Sequence, residues 1–218
     1  MIYRLAIAAS ALLALVACER ADQDAAVAAP EVANAAEQGS PATPRELTCS
    51  DPVGPGDTVA SLKRRFGKDA REETLGGPEG SEFPGLVLWP DDPSRRLEVF
   101  FVEEGAATVS SVRVGENSQW RVAGLALGDP LAKVREANGA PFTFLGFGWD
   151  YGGYVGGFAD GRLGSLPGGC TALLRLDALG PVDDSLEATG DVEVSSDLGG
   201  LTKADVRLVD LGIGFPSD

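Results

Sequence analysis

The chain has 218 residues, with 18 Lys and Arg against 33 Asp and Glu, a formal net charge of −15, and no histidine. Without an imidazole there is no Ser-His-Asp or Cys-His pairing, no His-based zinc site and no HExxH helix. Acidic surfaces repel phosphate backbones, and the one tight basic cluster, Lys63-Arg64-Arg65, falls short of the spread of cations that sequence-independent nucleic-acid binding needs, so no nucleic acid is expected as a partner.

Arg4 opens the chain with a positive charge, Leu5 to Ala17 form an uncharged apolar run of 13 residues, and Leu15-Val16-Ala17-Cys18 closes it with small residues before a cysteine. A transmembrane helix needs about 20 apolar residues, so the run is too short to span a bilayer. The segment resembles a bacterial lipoprotein signal covering residues 1–17. That resemblance implies a diacylglycerol on the Cys18 sulfur, cleavage before it and acylation of the new amine; two or more chains hold a protein stably at a membrane where one does not. Glu19 stands where Asp would favour retention at the inner membrane. The periplasmic face of the outer membrane is therefore the expected location, with membrane lipid as the first partner.

Residues 18–46 are rich in Ala, Glu, Gln, Asp and Pro and carry no aromatic residue, a composition that cannot bury enough surface to fold alone. As a flexible coil this linker spans about 30 Å. An Ala-rich helix over 21–29 is the alternative, stopped by Pro30. Folded structure is expected over 47–218, as two sub-units near 47–125 and 126–218. Cys49 and Cys170, 121 residues apart in an exported chain, are expected to form a disulfide, with two buried thiols as the alternative.

A weak repeat lays Gly56–Gly67 over Gly128–Gly139. Both stretches read as short helices: Asp57 and Asp129 are of the N-cap type, Pro130 suits the first helical position, Gly67 and Gly139 suit a left-handed stop, and Val59, Leu62 and Phe66, then Leu131 and Val134, make one apolar stripe each. Strand-like runs follow at Leu86–Trp89, Leu97–Val102, Thr108–Val114 and Trp120–Leu125, and then at Phe142–Leu145, Phe147–Val155, Thr171–Leu176 and Ala204–Leu211. Short connectors argue for antiparallel meanders. The fold class expected is α+β, two helix-plus-meander units packed as one body.

The segment from Gly146 to Phe158 holds five aromatic residues and six glycines in 13 positions. Read as a strand, it sets Phe147, Trp149 and Tyr151 on one face. These rings serve either as core or as a surface platform, for which Trp149, Tyr151 and Tyr154 are the ligand-binding candidates. Asp150 points the other way and is a weak general-acid candidate, with no second carboxylate fixed beside it by sequence. Asp91-Asp92 and Asp183-Asp184 lack the alternating oxygens and glycine of a calcium loop and read as solvated turns. No metal or cofactor is expected.

Trp120, Gly124-Leu125-Ala126-Leu127-Gly128-Asp129, Asn138-Gly139-Ala140-Pro141-Phe142, Gly146–Gly153, Gly161-Arg162-Leu163 and Ser195-Ser196-Asp197 together resemble a group of uncharacterised secreted or lipidated bacterial envelope proteins. The resemblance covers roughly Trp120 to Ile213 and implies no catalytic residue. In outline, helix followed by meander is also similar to small outer-membrane assembly lipoproteins and to β-lactamase-inhibitor-type modules, a likeness of architecture that does not fix function. The role expected is a non-catalytic binding or assembly module touching an envelope protein or the cell wall. The alternatives are a carboxylate-dependent hydrolase of envelope polymers using Asp150, and an inhibitor or ligand-binding module using exposed rings.

Overall fold

A computed structural model describes residues 45–102 and 108–216. The apolar N-terminal run, Cys18 and almost all of the expected linker lie outside the described residues. Among those described, no helix is long and apolar enough to cross a membrane. The fold is α+β, and its first elements are β1 (Arg45–Glu46), α1 (Val59–Phe66), β2 (Ala70–Gly76), β3 (Glu82–Leu88), β4 (Leu97–Phe101), β5 (Val109–Val114) and β6 (Trp120–Arg121). Then come α2 (Leu131–Asn138), β7 (Thr143–Leu145), β8 (Val155–Gly157), β9 (Thr171–Ala178), β10 (Glu193–Ser195) and β11 (Val206–Gly214).

The main sheet has six antiparallel strands in the order β2-β3-β4-β5-β11-β9. The first half builds the expected meander, and the second half completes the same sheet by pairing β11 with both β5 and β9. One register row, Leu86, Val99, Val112, Ile213 and Ala172, is buried throughout, each residue at most 2% exposed. The apolar stripes of α1 and α2 join that row in one core. A three-stranded sheet, β10-β7-β8, adds Phe144 and Val194 to it.

The two aspartates of the repeat do not cap their helices. Thr58 caps α1 by a reciprocal pair, its Oγ1 accepting from the Ser61 amide at 3.1 Å while its own amide donates to Ser61 Oγ at 2.9 Å. Pro130 occupies the cap position of α2 and makes no side-chain bond there. Asp57 and Asp129 sit one residue earlier and turn back instead, accepting from the amides of Gly54 at 3.0 Å and Ala126 at 2.8 Å. Each then binds a cation further along, Arg65 for Asp57 and Lys133 for Asp129. The backbone carbonyls of the two aspartates accept from Val109 and Leu208, so each helix hangs from a strand by the same device. The repeat is therefore real in three dimensions. Gly139 ends α2 in the left-handed region, φ 80°, whereas Gly67 ends α1 at φ 57° and ψ −122°.

Two strand expectations change, and one strand was not expected. Only Trp120 and Arg121 of the run 120–125 are extended, because Ala123 and Gly124, both at positive φ, turn the chain so that Val122 and Leu125 exchange hydrogen bonds. Phe147 to Tyr154 is a series of turns joined to β8, not a strand. β2 runs through Arg71, Glu72 and Glu73, charges that hide its pairing with β3 and that suit an edge strand.

Cys49 and Cys170 form a disulfide, with their Cα atoms 5.4 Å apart. Both are buried, and the bridge fastens the segment after β1 to the start of β9.

Candidate functional site

The glycine-rich segment is a loop folded back on the sheet. Gly153 lies at φ 81°, its amide donates to the Leu145 carbonyl at 2.7 Å, and its carbonyl accepts from Leu176 at 2.8 Å. A Cβ there would stand 1.7 Å from the Leu176 oxygen, so only glycine fits. Phe142, Phe144, Phe147 and Phe158 are buried, which places these rings in the core. Trp149, Tyr151 and Tyr154 remain half-buried at the surface. Trp149 and Tyr151 pack with centroids 5.3 Å apart, and the indole Nε1 donates to the Gly146 carbonyl at 2.9 Å. The Glu79 carboxylate, beside the Tyr151 hydroxyl, holds that phenol above its ordinary pKa. Asp150 is exposed in the turn from Trp149 to Gly152.

The side of the main sheet opposite the core carries a second register row, Arg71, Val87, Glu98, Arg113, Gly212 and Leu173, one residue from each strand. Charges on this side are paired, along a strand for Arg71 with Glu73 at 2.8 Å and Arg96 with Glu98 at 3.2 Å, and between strands for Arg96 with Glu73 at 3.1 Å and Arg113 with Glu98 at 2.6 Å. Burial pushes the Glu73 carboxyl up, but hydrogen bonds from Arg71 and Arg96 outweigh it and hold the group below its ordinary value.

A cleft of about 620 Å³ opens over this row, its floor formed by Glu98, Arg113, Arg175 and Asp210, with Pro90 and Pro93 in its lining. An adjoining hollow of about 180 Å³ shares Arg113 and Asp210 and is lined by Phe83, Phe100, Tyr154 and Leu173. The two together pass from charged to apolar over a few residues. Asp210 owes its place here to a bulge in β11, where the pairing with β9 skips from Leu208 to Asp210. Leu208 and Leu211 are buried, so the extra residue leaves both Val209 and Asp210 on the open side. Burial raises the Asp210 carboxyl above its ordinary pKa, against the pull of Arg113, the Leu211 amide and Arg175. Arg175 is aimed by the glycine-rich loop: its Nε donates to the Gly152 carbonyl at 2.9 Å, and its guanidinium lies over the Tyr154 ring at 5.2 Å.

Of the ring candidates, Tyr154 thus lines the hollow, while Trp149 and Tyr151 stand on the neighbouring loop. Arg113, Arg175 and Asp210 escape a reading of the sequence because about a hundred residues separate the first from the last and no local motif joins them. The available signal was the charge at Asp210 inside the last apolar run. Asp92 and Asp183 spend their carboxylates on the amides and hydroxyls of Ser94 and Ser185, as expected of turns. No family model, curated protein or solved structure matches the chain.

Proposed function

We propose that this protein is a lipid-anchored, non-catalytic binding or assembly module of the cell envelope, held by acylated Cys18 at the periplasmic face of the outer membrane, which takes a segment of an envelope protein on the open side of its six-stranded sheet. The observation that supports this most is the juxtaposition of the charged cleft at Arg113, Arg175 and Asp210 with the apolar hollow at Phe83, Phe100 and Leu173. Leu173 is 45% exposed there, an apolar anchor with Arg113 and Asp210 at its border, and an apolar centre beside polar groups is the make-up of a protein contact surface. A photoreactive residue at Leu173 in native envelopes is expected to give one discrete adduct, lost with Arg175→Glu, while the same probe at Leu198, beside α2, gives none. Equal labelling at both positions overturns the assignment. Intact mass of membrane-extracted protein tests the anchor: it should begin at Cys18 and carry acyl chains.

Hydrolysis by a carboxylate pair is the second reading, and it moves from Asp150 to Asp210. Asp210 has the raised pKa of an acid and shares its cleft with Glu98. Glu98, however, is engaged by Arg96 and Arg113. Turnover of envelope polymers that Asp210→Asn abolishes upholds this reading, and a discrete adduct at Leu173 with no such turnover upholds the first.

A further inference from the structure

A separate cleft of about 380 Å³ lies where the described chain begins, lined by Arg45, Arg65 and Arg95 together with Phe66, Trp89 and Trp120, and with Ser50, Asp51 and Pro52 in the remaining wall. We infer that this cleft binds a phosphoryl anion between the guanidinium groups of Arg45 and Arg95. Three of the chain's 18 cations gather here on a protein whose net charge is −15. Arg65 is committed within the protein, to Asp57 and to the Pro52 carbonyl. Arg95 is not: its guanidinium is held over the Trp89 ring at 4.3 Å by stacking, and its buried Nε has no acceptor among the described residues. A guanidinium fixed by an aromatic face, with its fork of donors unspent, is pre-organised for an oxyanion.

The wall behind it is stiff. Trp89 sits at φ 53°, a left-handed conformation costly for a bulky residue. It is locked there by Phe66 edge-on at 5.3 Å and Trp120 at 5.7 Å, while Trp120 Nε1 donates to the Arg95 carbonyl at 2.9 Å. The Asp51 carboxylate at the rim, which is exposed, favours an anion small enough to avoid it. Cys18 lies 27 residues before Arg45, so if it is anchored the cleft faces the end from which the tether leaves, and a lipid headgroup phosphate is one source of the ligand, free phosphate the other.

Trp89 and Trp120 report on the cleft directly, so the test is a fluorescence titration of the full chain in detergent with inorganic phosphate and with monomeric dihexanoyl-phosphatidylglycerol, against chloride at equal ionic strength. Saturable quenching by either phosphate compound, weakened at least tenfold by Arg95→Gln or, should that variant unfold, by Arg45→Gln, and unchanged by Arg135→Gln, upholds the site. Tighter binding of the lipid assigns a headgroup, and equal binding assigns free phosphate. A response that chloride reproduces, or that both arginine variants retain, overturns it.

Discussion

Replacing Cys49 and Cys170 together by alanine removes one covalent link and little else, since alanine leaves no unpaired hydroxyl at two sites that are 3% and 0% exposed. The link closes a loop of 121 residues. In the chain-entropy treatment a loop of that length restricts the unfolded ensemble enough to stabilise the fold by up to about 5 kcal/mol. With a urea slope of about 2 kcal/mol per molar for a domain of this size, the unfolding midpoint should fall by about 2 M. Tryptophan fluorescence in urea on the parent and the double variant measures it, and the parent with reductant should approach the variant. A midpoint shift under about 0.5 M would refute the reasoning, because it would mean that the loop's ends are already held near each other without the covalent link. Denatured parent protein should also resist alkylation at both cysteines until reduced.

Asn138→Ala should cost about 2–4 kcal/mol in the same assay, because the buried amide donates to the Ala140 and Phe158 carbonyls and accepts from the Leu163 amide, all of which would lose a partner. Gly153→Ala should cost about 3 kcal/mol or more and detach the aromatic loop from β9, seen as a changed Trp149 environment; a near-neutral result would contradict the close approach to Leu176. The pH dependence separates the carboxylates by sign. Asp210 has a raised folded value, so its contribution is complete in acid and is lost as pH climbs from its ordinary 3.8 through that value. Asp210→Asn should then be more stable than the parent at neutral pH and converge with it in acid; lower stability at neutral pH would mean that Arg113 and Arg175 outweigh burial. Asp57 and Glu73, with lowered values, contribute above their ordinary pKa and lose that contribution as pH falls through their folded ones, so Asp57→Asn should be less stable than the parent at neutral pH and converge with it in acid, a gap that persists unchanged into acid contradicting the assignment.

The helices and the first meander were legible because each follows from a local pattern: an apolar stripe between cap and glycine, or alternation between turns. The pairing of Cys49 with Cys170 was legible from cysteine usage, two thiols left over in the folded part of a chain expected to be exported. What stayed hidden depended on residues distant in sequence. β2 becomes a strand through β3, not through its own charged sequence, and Trp120–Leu125 fails as one because Ala123 adopts a backbone conformation that alanine rarely takes. Aromatic alternation at Phe147, Trp149 and Tyr151 mimicked a strand, yet the interleaved glycines made turns. The cleft draws Arg113, Arg175 and Asp210 from three strands, and a bulge that no composition announces turns Asp210 outward.

β11 lies in the interior of the sheet although it is the last strand in the chain. Until it is delivered, β5 and β9 are both raw edges, open to pairing with any passing strand. A molecule truncated before Val206 would thus leave two seams open at once, and the strand that fills them is what joins the front and back halves into one sheet.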